Sequence, residues 1–166
     1  MKSPIIALAA LSSFLGTITS AVAYEVCEEF TVHWAVDHVH SLDHDRDGRS
    51  VGDTMMVKGT MTTTSGVPVG PMYVNSTVMP YGEEITDEDP IPFFATMHYI
   101  FPTGRLSTSG IFERHDTGLN KDLPPVQFEY SIIGGTGLFA SARGQMVAST
   151  DEDGNRTLNF RISCAD

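Results

Sequence analysis

The sequence predicts an all-β protein, an eight-stranded antiparallel up-and-down barrel, and three observations lead there. No strong helical periodicity follows Ala23; short runs instead alternate apolar and polar residues between turn signals. About eight such runs succeed one another, most with short links, which is how strands follow one another in an up-and-down barrel. The two cysteines, Cys27 and Cys164, lie at the start of the first run and the end of the last. In a closed barrel of this kind the first strand pairs with the eighth, and those two places become neighbours.

The runs come in order. Phe30, Val32, Trp34 and Val36 alternate with Thr31, His33, Ala35 and Asp37. Thr54 to Thr63 is rich in Met, Val and Thr and stops at Ser65-Gly66; Met72 to Met79 stops at Pro80-Tyr81-Gly82. Phe93 to Phe101 is aromatic and ends at Pro102-Thr103-Gly104, and Arg105 to Glu113 follows. Val126 to Ile133 places Phe128, Tyr130 and Ile132 on one face. Arg143 to Thr150 runs into Asp151-Glu152-Asp153-Gly154, and Arg156 to Cys164 places Leu158, Phe160 and Ile162 on one face. The segments Gly82 to Pro92 and His115 to Pro125 carry prolines and charges and are expected to be long loops.

The first residues set an expected compartment. Lys2, the apolar stretch Ile5 to Leu15 and the A-x-A site Ala21-Val22-Ala23 form a secretory signal peptide over residues 1–23. The secreted chain is then a single domain, residues 24–166, large enough to bury a core. Its compartment permits a disulfide between Cys27 and Cys164. Closing so long a loop has a ceiling of about 5 kcal/mol; the other reading is two free thiols. The triplets at Asn75 and Asn155 are glycosylation sequons and lean toward a eukaryotic secretory route. A formal net charge of −11 argues against nucleic acid or anionic membrane as partners.

The stretch Ser131 to Gln145, SIIGGTGLFASARGQ, contains G-x-G-x-x-A at Gly135, Gly137 and Ala140. A dinucleotide turn needs a following helix and a βαβ unit. Fewer than about 30 residues remain here, alternating like strands, so the stretch is expected to be a glycine-rich link between barrel strands. Gly134-Gly135-Thr136-Gly137-Leu138-Phe139 with Ala142-Arg143-Gly144 resembles the G-G-T-G-x-F…A-R-G signature of dirigent proteins and allene oxide cyclase-like barrels. Gly52-Asp53, Gly59 and Gly66 to Gly70 resemble the family's G-D…G…G-x-x-V-G hairpin, and Gly104 to Phe112 its G-x-L…G-x-F hairpin. The likeness covers roughly residues 50 to 162 and agrees with the strand count. It implies a calycin-like barrel, action without cofactors and self-association into homo-oligomers. It also implies Asp53 and Arg143 as polar residues near the cavity.

The remaining chemistry is sparse. Asp43 to Gly48 matches the first half of a calcium loop, but position twelve is Thr54, so a solvated turn is expected and no metal is assigned. Gly-x-Ser-x-Gly is absent. If Asn75 carries sugar it faces outward, so Met72, Val74, Ser76 and Val78 face in; by alternation Trp34, Phe128, Tyr130, Leu158 and Phe160 join them in an apolar, aromatic pocket. Of His98 and Tyr99, one points inward. The expected catalytic set is Arg143, His98 and Asp53; the expected substrate-binding set is Trp34, Val74, Tyr99, Phe128, Tyr130 and Gln145. The plainer alternatives are that the aromatics are only core and that Arg143 pairs with a carboxylate at the barrel end. Three functions stay open: a cofactor-free cyclase for an apolar, aromatic or polyene substrate, a dirigent that steers radical coupling, and a carrier of an apolar metabolite. The resemblance extends the first to fungal barrels that guide cycloadditions, hetero-Diels–Alder reactions among them.

Overall fold

The computed structural model describes residues 26–44, 50–80, 90–114 and 126–163. The expected signal peptide, the side chain of Cys27, all of Cys164, and residues 45–49 of the calcium-like loop lie outside the described residues. Eight strands follow in order: β1 (Val26–Leu42), β2 (Thr54–Thr63), β3 (Pro68–Val78), β4 (Ile91–Phe101), β5 (Gly104–Arg114), β6 (Val126–Gly137), β7 (Arg143–Thr150) and β8 (Arg156–Ser163). Each pairs antiparallel with its sequence neighbours, and β1 pairs with β8, so the sheet closes into a barrel. No helix occurs among the described residues.

Period-two patterning explains the strands. On β3, Met72, Val74, Ser76 and Val78 are buried while Tyr73 and Asn75 face solvent. On β4, Phe93, Ala95, Met97 and Tyr99 point inward, and Phe94 and His98 outward. Leu158, Phe160 and Ile162 line the inside of β8. Each strand thus offers one apolar face, and closure buries all eight faces together. Val26 lies opposite Ser163, so the start of β1 meets the end of β8.

β1 departs from the expectation. The alternation was legible only from Phe30 to Asp37, yet the strand runs for 17 residues and carries His38 and His40 on its exposed outer part. Val26 to Trp34 pairs with β8 and Val32 to Leu42 with β2, and within the β1–β2 pairing the register shifts between Val36 and His38. Strand tilt in a closed barrel requires such a stagger, and a bulge bends the long strand to follow it.

One end of the barrel is sealed. Here lie the β2–β3, β4–β5 and β6–β7 links. The rings of Phe30 and Phe160 stack at 4.9 Å, Tyr99 meets Phe160 edge-on at 4.9 Å, and Phe101 touches Phe30 at 5.7 Å and Phe139 at 5.2 Å. Pairs of this geometry contribute about 0.5–1.5 kcal/mol each beyond burial. The glycine-rich stretch supplies part of this plug. After β6 the chain makes consecutive turns (Ala140 N to Gly137 O, 3.2 Å; Ala142 N to Phe139 O, 3.0 Å) and drops Phe139 and Ala142 into the core. Gly137 sits at φ +64, and a Cβ at Gly135 would fall 2.7 Å from that of Phe139. The glycines therefore let the turn fold back over the barrel end.

Candidate functional site

The opposite end carries a second group of apolar side chains. Trp34 and Val36 of β1, Met55 of β2, Phe112 of β5, Phe128 of β6 and Ala148 of β7 share the inward phase of their strands and pack on the core, yet each stays partly accessible. Phe112 stacks on Phe93 at 5.2 Å and lies against Phe128 at 5.4 Å and Tyr130 at 6.4 Å. Aromatic side chains therefore gather at this end next to the core residues Val57, Val74, Met97 and Tyr130, and Val78, Ile91 and Phe93 are buried beside Phe112. Accessible apolar surface facing the inside of a barrel is what a small apolar ligand would cover.

A single cation marks this end among the described inward-facing residues. Arg156 opens β8 in the same phase as Leu158, and its guanidinium carbon lies 5.0 Å from the centroid of Trp34. That contact orients a planar donor while leaving it partly exposed. Deeper in the barrel, the Tyr99 hydroxyl bonds to Met97 Sδ at 3.0 Å and lies 3.2 Å from Thr108 Oγ1. Burial pushes the pKa of Tyr99 well above the ordinary tyrosine value, and that of Tyr130 likewise. Both hydroxyls are therefore neutral at physiological pH.

The expected binding residues divide by strand phase. Trp34, Val74, Tyr99, Phe128 and Tyr130 do face the interior. Gln145 does not: Met146 takes the inward slot, so Gln145 points to solvent and donates to Glu129 Oε2 at 2.7 Å. The same parity turns His98 outward, because Tyr99 is the inward member of the pair; His98 Nδ1 lies 2.9 Å from Ser107 Oγ on the outer wall. Arg143 also faces outward, at the sealed end, with Nη1 donating to the Ala142 carbonyl at 2.7 Å. It makes no ion pair among the described residues, so the carboxylate partner expected for it is not seen there.

Asp53 precedes β2, on the opposite end of the barrel from Arg143. Its carboxylate accepts from the backbone of Ser50 (2.8 Å) and His44 (3.0 Å) and from Ser50 Oγ (3.3 Å). Desolvation opposes its ionisation, but these hydrogen bonds outweigh it and hold the pKa below the usual range. Asp53 organises a turn and does not meet Arg143 or His98. Those two share a concavity on the outer wall instead.

Arg156 and Phe112 were not among the expected residues. Their phase was legible, since Arg156 is two residues before Leu158, but Arg156 adjoins a turn and sits inside a sequon. Both sequon asparagines are exposed; the Asn155 amide nitrogen donates to Asp151 at 2.9 Å. Among the described residues no group of three or more His, Cys, Asp or Glu side chains is placed to hold a metal.

No protein-family model and no curated protein sequence matches the chain. Solved structures with the same fold do exist. The chain is similar to pyocyanin demethylase, with a TM-score of 0.64 and 15% identity over 82% of this chain and 100% of that one. It is similar to AbnU, an exo-specific intermolecular Diels-Alderase, with a TM-score of 0.59 and 10% identity over 81% and 98% of the two chains. It is also similar to the Diels-Alderase AbmU from Streptomyces koyangensis, with a TM-score of 0.53 and 15% identity over 80% and 61%. At these identities the likeness establishes a shared architecture: this chain has the small closed β-barrel fold that those proteins also use.

Proposed function

We propose that this chain is a natural-product cyclase that binds a reactive apolar intermediate at the end of its barrel that holds Trp34 and Phe112 and sets the geometry of a cycloaddition. The observation that carries this is the group of partly accessible, inward-facing aromatics Trp34, Phe112 and Phe128 with Arg156 held 5.0 Å from Trp34. Neighbours in fold that are Diels-Alderases lend support by analogy of architecture.

The chemistry suits the residues. A [4+2] closure redistributes π electrons within the substrate and requires no external electron acceptor. An apolar rim excludes water and holds diene and dienophile in one near-attack arrangement, which removes part of the entropic barrier. Arg156 would donate to a carbonyl on the dienophile as partial negative charge grows there. A preference of about 1.4 kcal/mol between two folded forms of the substrate gives a tenfold product ratio. On this reading the donor role belongs to Arg156, and neither Arg143 nor His98 takes part. The enzyme works without a cofactor, and residues 1–23 direct it into the secretory route.

The test avoids guessing a substrate. The gene is deleted in its native host, and metabolites are compared by chiral chromatography with mass detection. One cyclised compound is expected to vanish, be diverted or lose optical purity, and to return with the wild-type gene but not with Arg156→Gln. A profile unchanged in amount and chirality would sink the cyclase reading.

A further inference from the structure

We propose that the outer wall of the barrel carries a second binding site, for a small organic anion with a carboxylate or sulfate on a flat apolar body. It lies near the sealed end, where β3 to β7 present Tyr73, His98, Arg105, Ser107, Ile133 and Arg143 around a concavity of about 760 Å³. That volume falls in the range that holds a small molecule.

Backbone geometry makes the hollow. The β5–β6 register slips so that Ser107 pairs with Gly134 and Thr108 with Ile132, and Ile133 is left over as a bulge, 50% exposed. β6 and β7 pair only as far as Ile132 and Gly144, so beyond that point the strands part around Arg143. Gly134 keeps the floor clear: a Cβ there would stand 3.3 Å from Arg143 Nη1. A bulge, a parting of strands and a glycine thus act together to open a space that a regular barrel wall would fill with side chains.

The lining then sets the sign of the ligand. The chain carries 21 acidic and 10 basic residues, yet the lining includes Arg105, Arg143 and His98 and no acidic residue. Tyr73 and Ser107 add hydroxyls, and Ser107 occupies His98 Nδ1, which leaves Nε2 as the ring's second polar atom. Neither arginine has an ion-pair partner among the described residues. Two guanidiniums offer paired N–H donors to an oxyanion. Tyr73 at 41% exposure and Ile133 at 50% supply an uncovered apolar wall for the rest of the ligand. This site is separate from the barrel mouth and does not depend on the cyclase reading.

The experiment is a titration of the full secreted chain with benzoate, followed by backbone amide shifts. Saturable shifts at Ser107, Gly134 and Gly135, with Kd of roughly 1 mM or tighter and an unmoved Trp34 indole, are the expected result. Arg105→Gln and Arg143→Gln, both at exposed positions, should each weaken binding about tenfold, and benzylamine, the cationic analogue, should not bind. The assignment is overturned if benzoate gives no saturable shift, if neither substitution weakens it, or if the shifts centre on Trp34. It is also overturned if inorganic phosphate binds as tightly as benzoate, because the apolar wall would then have no role.

Discussion

Raising the pH above 10 should destabilise this barrel through two interior tyrosines. Tyr99 is fully buried and Tyr130 nearly so, and desolvation raises both pKa values above the ordinary 10.0. For Tyr99 the bond to Thr108 opposes that shift without cancelling it, and the nearby Tyr130 adds to it. A raised folded pKa means that the unfolded chain releases its proton first. Stability is therefore complete below about pH 10 and falls as pH climbs beyond it. For a group that stays protonated in the fold, going from about pH 10 to about pH 11 costs roughly 1 kcal/mol, so the pair costs roughly 2 kcal/mol. Urea unfolding across this range measures it, with Tyr99→Phe/Tyr130→Phe as the reference. Tyr99→Phe alone should cost about 1 kcal/mol at neutral pH, because Thr108, itself fully buried, loses its partner. Equal pH slopes for wild type and double variant would refute the argument. So would native-state absorbance at 295 nm showing all five tyrosines ionising near pH 10. The same reasoning bears on function, because neutral phenols inside the barrel can donate hydrogen bonds but cannot act as phenolate bases at ordinary pH.

Three further outcomes are expected. Phe160→Ala removes a fully buried ring shared by Phe30, Tyr99 and Phe101, and should cost about 3–5 kcal/mol by thermal or urea unfolding. Gly137→Ala forces a side chain into φ +64 beside the Thr103 carbonyl and should cost about 1–3 kcal/mol, measured the same way. Arg156→Gln should leave unfolding nearly unchanged, shift the emission of Trp34, the chain's single tryptophan, and lower the rate or product ratio of the cyclisation about tenfold.

Much of the barrel was legible in the chain because strand phase is a local property. Val74, Phe128, Tyr130 and Trp34 could be placed inside by counting in twos from a neighbouring apolar residue. The same count excludes Gln145 once Met146 is inside, and allows His98 or Tyr99 but never both. The site was harder. Arg143 was placed near the cavity by resemblance, and phase alone would have put it on the face opposite Met146. Asp53 lay in a recognisable turn, but nothing in its neighbourhood showed which end of the barrel that turn serves. The length of β1 was also hidden, since a bulge after Val36 breaks the alternation that would otherwise reveal the strand.

The sequence by itself determined an eight-stranded, apolar-lined barrel, because alternation, turn residues and chain order act over a few residues at a time. Tertiary structure decided which aromatic side chains meet at each end. Phe30, Phe101, Phe139 and Phe160, far apart in the chain, come together at one end, and Phe93, Phe112 and Phe128 at the other. It also decided that Arg156 reaches Trp34 across the β1–β8 seam, where 122 positions of chain separate two residues that closure makes neighbours (156 − 34 = 122). Contacts of that kind arise from closing the sheet, and no local pattern encodes them.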